Sequence, residues 1–297
     1  MHAQTVYVLD DEGELVRKAG PEPGTPEAEL EAIRALIAAD EGKKAVRAAN
    51  DWIEAYPNHP LEVEARLLRG DAWVARERYY KALFDYEYVA RVYPGTEAFF
   101  TALEREYDIA RLFVSGVKRR LFGLQLLPAD GEGEELLIRI QERVPGSELG
   151  ERASLLLADY YYDEGEMFLA SEAYDIFLEN YPESQRREWA LLRLVLSNLA
   201  RFKGPRYDAT GLLEARERLL AYRAEFPAAA ERVGIDAVLL RVEESLASAD
   251  LASAQWYERR GEDRSAATLY ERLIEEHPRT SAAQQAAERL RELGVSE

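Results

Sequence analysis

Residues Ser147 to Ser184 read SELGERASLLLADYYYDEGEMFLASEAYDIFLENYPES. Leu149, Ala153, Leu156, Leu157, Tyr160 and Tyr161 recur at i, i+3, i+4 spacing, which lines one face of a 3.6-residue helix. Gly165 interrupts the run where a reversal favours a residue without a Cβ. A second helix carries Ala170, Tyr174, Phe177 and Leu178 and ends before Pro182, which cannot continue it. Two short amphipathic helices cannot bury both faces alone, so the unit needs neighbours.

The same punctuation recurs along the chain. Pro57, Pro94, Pro145, Pro182, Pro227 and Pro278 each follow a small residue by twelve positions: Ala45, Ala82, Gly133, Ala170, Ala215 and Ala266. Eight before lie Ala49, Tyr86, Leu137, Tyr174, Leu219 and Tyr270, and five before lie Trp52, Val89, Ile140, Phe177, Tyr222 and Leu273. A small residue that admits a neighbouring helix, bulky residues that fill the gap and a Pro that ends the unit make a repeat. This pattern resembles the tetratricopeptide (TPR) repeat, and the middle and last units also place Ala158/Tyr161 and Ala254/Tyr257 at its first-helix small and aromatic positions.

The expected fold class is therefore all-α: a right-handed superhelix of five to six TPR-like helix pairs. Val6–Leu9 and Glu14–Val16, separated by an Asp/Gly-rich turn, predict a small N-terminal β-hairpin. Domains are expected at 1–24 (hairpin and Pro-rich linker), 25–146 (N-terminal half) and 147–297 (C-terminal half with a capping helix). The first helix of unit three is expected to run on to about VSGVKRRLFGLQL, where Lys118, Arg119 and Arg120 form a basic cluster. That cluster suits either a helix C-terminus or an acidic partner. One long helix is expected over about 228–260, and a final one over about 279–293.

A net charge of −18, from 56 acidic against 38 basic residues, argues against nucleic acid as partner. Cysteine is absent, which removes disulfides and thiolate chemistry. No apolar run reaches transmembrane length, and no signal peptide is recognisable; Met1-His2-Ala3 reads as a start grafted onto a trimmed chain. Of the three histidines, His59 lies in Pro-Asn-His-Pro and His277 takes the aromatic position of its repeat, so no ligand pair is expected. Glu243-Glu244 and Glu275-Glu276 read as solvated faces. No catalytic motif is found, and neither an enzyme nor a cofactor is expected.

The C-terminal half narrows the resemblance. Ala254-Gln-Trp256-Tyr257-Glu-Arg-Arg260-Gly261, followed by Ala266 and His277-Pro278, resembles the A-x-Y-Y-x-x-R-G … Y-P ending of the BamD-like lipoproteins of outer-membrane β-barrel assembly. Phe202-Lys-Gly204-Pro-Arg206-Tyr-Asp208 is similar to their Gly-x-x-R-x-D loop, and Ala170, Tyr174, Phe177, Tyr181-Pro182-Glu-Ser184 to their second-helix signature. The match spans about 147–293; the first half fits only as generic TPR. The family's lipobox cysteine and its basic residue upstream of the Y-Y motif have no counterpart, Glu243-Glu244-Ser245 standing at the latter with Arg241 the nearest substitute.

This resemblance implies a non-enzymatic periplasmic scaffold at the outer membrane. Its expected partners are a barrel-assembly subunit, other lipoproteins and nascent outer-membrane proteins, with a lipid anchor as the only membrane contact. A general TPR adaptor, of the Tol-Pal-associated envelope type or cytoplasmic, is the alternative. TPR register puts Glu64, Leu67, Asp71 and Val74 in the groove of unit two, and Arg152, Leu155, Asp159 and Tyr162 in that of unit four. A second partner surface is expected at Lys203, Arg206, Arg241 and Arg259, cationic points in an acidic chain.

Overall fold

The computed structural model describes residues 7–9, 15–17, 21–117, 119–121, 124–127, 130–201 and 210–294, with side chains for those outside the strands. Two compact units divide the chain, 1–136 and 137–297.

In the first unit, Tyr7–Leu9 (β1) pairs antiparallel with Leu15–Arg17 (β2), Val8 opposite Val16. Helix pairs follow: Pro26–Ala38 (α1) with Gly42–Ala55 (α2), and Glu62–Val74 (α3) with Tyr79–Val92 (α4). Glu97–Val114 (α5) comes next, and then a two-stranded ribbon, Arg119–Leu121 (β3) against Leu124–Leu127 (β4), with a register irregularity between Arg119 and Arg120. The first helix of unit three thus stops earlier than its sequence suggests. Ser115 is its C-cap, and Gly116 follows at φ 93°, a conformation that ends a helix and favours Gly. Arg119 and Arg120 consequently lie on a strand and not at a helix end.

Asp130–Arg143 (α6) crosses the division between the units. The second unit continues with Glu148–Asp163 (α7) and Met167–Asn180 (α8), then Arg187–Arg201 (α9) and Thr210–Glu225 (α10). Pro227–Val233 (α11) and Ile235–Arg259 (α12) replace the single long helix expected over 228–260, because Gly234 sits at φ 76° and breaks it. Asp263–Glu276 (α13) pairs with α12, and Ser281–Leu293 (α14) packs on both. No helix among the described residues is long and apolar enough to cross a membrane.

The repeat pattern is a packing pattern. Every one of the small and bulky positions counted back from the six prolines is buried, and apart from Gly133 none exceeds 1% exposure. The corner before the Pro is also a fixed object. Tyr56, Tyr93, Tyr181, Phe226 and His277 cap their helices with φ between −123° and −129° and ψ between 50° and 63°. This is the non-helical backbone that a following Pro imposes. Two residues after the Pro, Thr96, Ser147 and Thr280 cap the next helix, each accepting from the N–H three residues on.

Close approach is paid for by glycine at one place in particular. Gly70 of α3 lies against the Tyr86 ring, where any Cβ would collide with it. Tyr86 itself is fully buried.

Candidate functional site

The first helices of successive repeats carry the polar groups that tie one repeat to the next. In the first unit, Asp71 of α3 accepts from the Tyr86 hydroxyl of α4 at 2.8 Å. Arg105 of α5 holds the same carboxylate with two donors, Nη2 at 2.8 Å from Oδ2. In the second unit, Asp159 of α7 accepts from the Tyr174 hydroxyl of α8 and, at 3.2 Å, from Trp189 Nε1 of α9. At the chain's end Glu258 of α12 takes the hydroxyl of Tyr270 from α13 and the guanidinium of Arg289 from α14. Burial, reinforced by these carboxylates, pushes all three tyrosines up, Tyr270 to about 12.

Four expected groove positions of the first unit are therefore placed as follows. Glu64 pairs with Arg34 of α1, Leu67 is buried in the core, Asp71 is held by Tyr86 and Arg105, and Val74 is half-buried. In the second unit Arg152 and Leu155 are half-buried, while Asp159 and Tyr162 converge with α9. The Arg193 guanidinium lies 4.0 Å from the Tyr162 ring centroid and 4.4 Å from that of Trp189, and its Nη1 is 3.2 Å from Asp163. Asp159, Tyr162 and Asp163 share one face of α7 by spacing, as Trp189 and Arg193 do on α9. The result is an aromatic–guanidinium–aromatic platform, with Trp189 still 43% exposed.

Sequence reading gave Tyr162 but missed Trp189 and Arg193. Their signal was available, since Trp and Arg at i, i+4 beside a Tyr-rich helix form a recognisable surface pair. Such platforms suit partners that bring apolar or peptide faces, because stacked Tyr, Trp and Arg lose little freedom on binding.

The proposed cationic surface is only partly described. Lys203 and Arg206, with the whole Phe202–Asp208 loop, lie outside the described residues. Arg201, just before it, bonds Glu214 at 3.2 Å and Asn198. Arg241 and Arg259 are exposed on α12. They fall on one stripe of that helix but about 27 Å apart at 1.5 Å per residue, too far to form one cluster.

Glu243 and Glu244 prove to be structural and not simply solvated. Glu243 pairs with Arg216 of α10 and with His277. Glu244 accepts from the N–H groups of Ser281 and Ala282 and from the Ser281 hydroxyl, capping α14 from a neighbouring helix. These bonds hold the Glu244 carboxyl below its ordinary range.

No curated protein matches the chain. Among solved structures, the C-terminal part of a TPR repeat-containing protein from Cytophaga hutchinsonii is 13% identical, covering 89% of this chain and 88% of its own, with TM-score 0.42. PilW, described as a widely conserved type IV pilus biogenesis factor, is 14% identical over 90% of this chain and 100% of its own, with TM-score 0.32. A structure described as the assembly chaperone of RpL4 (Acl4) is 15% identical over 91% of this chain and 97% of its own, with TM-score 0.29. The family described as "YfiO: Outer membrane lipoprotein" matches residues 132–293, from the first turn of α6 to the end of α14. Because that match takes in more than half of the sequence, including every repeat of the second unit, the chain belongs to the YfiO outer membrane lipoprotein family.

Proposed function

We propose that the protein is a non-enzymatic scaffold of outer-membrane β-barrel assembly, held at the periplasmic face of that membrane by a lipid anchor. Partner subunits dock on the C-terminal repeats, and extended segments of nascent outer-membrane proteins lie across the first-helix faces. The observation that carries this reading is the family match over the same repeats that bear the Tyr162–Arg193–Trp189 platform. Glu64, Leu67, Asp71 and Val74 would form the corresponding contact region of the first unit, Arg152, Leu155, Asp159 and Tyr162 that of the second. Lys203, Arg206, Arg241 and Arg259 are the proposed cationic contacts for an acidic partner, with Arg241 and Arg259 as separate points along α12 that stand out from the −18 background.

Photo-crosslinking in the native cell envelope tests this. A photoreactive residue at Leu155 or Trp189 should capture an outer-membrane barrel subunit or an unfolded barrel protein, whereas one at exposed Leu213 on α10 should not. Capture confined to cytoplasmic or inner-membrane proteins would overturn the assignment.

A further inference from the structure

His277 is the last of the residues that precede a corner Pro, and the only imidazole among Tyr56, Tyr93, Tyr181 and Phe226 in the same backbone conformation. Its side chain is 11% exposed and sits between two carboxylates of α12, seven residues apart. Nδ1 is 2.9 Å from Glu243 Oε2, and Nε2 is 3.6 Å from Asp250 Oδ2. The other oxygen of Glu243 accepts from Arg216. With Nδ1 turned to Glu243, Nε2 is the nitrogen that faces Asp250.

Nε2 and Asp250 Oδ2 face each other there at a distance too long for a hydrogen bond. It is close to the separation of about 3.4 Å between two ligands of one tetrahedral ion with bonds of about 2.0–2.1 Å. Glu276, the last residue of α13, adds a third donor: the ligand atoms of Asp250, Glu276 and His277 all lie within 4.8 Å of one another. A carboxylate behind the imidazole is also the usual device that fixes a ligating histidine's tautomer and orientation.

We infer that Asp250, Glu276 and His277 bind a divalent transition-metal ion, with Glu243 as the positioning residue. One imidazole nitrogen and two carboxylate oxygens suit zinc, with water completing the shell. Local charge favours a cation, since three carboxylates surround the ring while Arg216 contacts one of them and Arg272 stands 4.0 Å from another. The ion ties the body of α12 to the end of α13, across the corner that leads into α14.

Titration calorimetry of the full chain with zinc chloride in a non-chelating buffer at pH 7.5 is the test, combined with ¹⁵N NMR of the three imidazoles. Wild type should bind one ion saturably, with the His277 Nε2 resonance shifting and the thermal midpoint rising. His277→Tyr preserves the corner used at Tyr56, Tyr93 and Tyr181, so it should fold and yet weaken binding at least tenfold. Asp250→Asn should do the same. Glu243→Gln, which touches no metal, should weaken binding tenfold or more. Equal binding by wild type and His277→Tyr would assign zinc to exposed carboxylates or the other histidines and overturn the proposal. So would a doubly protonated His277 with no saturable zinc binding, because a proton would then fill the gap.

Discussion

The hydroxyl of Tyr86 donates to the carboxylate of Asp71 at 2.8 Å, and Arg105 from the following repeat closes on that same carboxylate. A side chain on an expected groove face is thus also a joint between three helices. Asp71→Ala strands a buried phenol and a partly buried guanidinium together, and leaving such groups unpaired costs about 1–3 kcal/mol. The denaturant midpoint should fall accordingly. Asp71→Asn, which can still accept from Tyr86, should lose less, and a loss equal to that of Asp71→Ala would show that the joint depends on the carboxylate charge and not on the Tyr86 hydrogen bond.

The repeat's bulky and small positions should fail in opposite ways. Tyr174 and Ala170 are both fully buried. Tyr174→Ala opens a cavity worth about 3–5 kcal/mol, and Ala170→Leu overpacks the helix pair by about 1–3 kcal/mol. Tyr174→Phe keeps the volume and removes only the bond to Asp159, a change of about 1 kcal/mol. Urea unfolding should rank the three in that order of severity: Tyr174→Ala, Ala170→Leu, Tyr174→Phe.

Gly70→Ala is a one-methyl change with no conformational excuse, since Gly70 lies in the middle of α3 and Ala has the higher helix propensity. Propensity predicts a gain of up to about 1 kcal/mol. Contact with the Tyr86 ring predicts a net loss of about 1–3 kcal/mol instead. A thermal midpoint at or above wild type would mean that the α3–α4 interface yields more easily than its geometry implies.

The C-terminal end should respond to pH from both sides. Arg289 and then Tyr270 hold the Glu258 carboxyl below its ordinary 4.5, as Ser281 and Ala282 do for Glu244. Their stabilisation is present above about pH 4.5 and is lost as pH falls through the lower folded values. Burial and Glu258 push Tyr270 from 10.0 to about 12, so its contribution is present below pH 10 and is lost as pH rises through 12. Thermal melts followed by circular dichroism should show wild type losing its advantage over Glu258→Gln between pH 6 and pH 3. A constant gap across that range would refute the assignment.

Much of this architecture is legible because core positions obey a spacing rule that survives changes of residue. Ala, Gly, Tyr, Leu, Trp, Phe, Val and Ile all serve, provided the offset from the corner Pro is kept. The break at Gly234 was not legible, since a lone Gly in a helical pattern is usually tolerated and only its left-handed φ reveals the stop. The early end of α5 has the same cause at Gly116. At the site, Tyr162 could be placed from helix register alone. Its partnership with Trp189 and Arg193 depends on how α9 packs beside α7, which no local pattern contains. Glu243 and Glu244 were misread for the same reason: their partners Arg216, His277 and Ser281 lie between 27 and 37 residues away.

Each tyrosine–carboxylate joint also imposes an order on synthesis. When α3 and α4 have left the ribosome, Asp71 has Tyr86 but must await α5 for Arg105. The second unit waits likewise at Asp159 for Trp189, and at Glu258 for Arg289. At each of these three stages the nascent chain ends on an unfinished surface, with a carboxylate turned toward a helix not yet made. Helix α14 answers two of these at once: it supplies the awaited arginine to Glu258 and the N–H groups to Glu244. A chain terminated before Ser281 would be born complete in its repeats and open at its end.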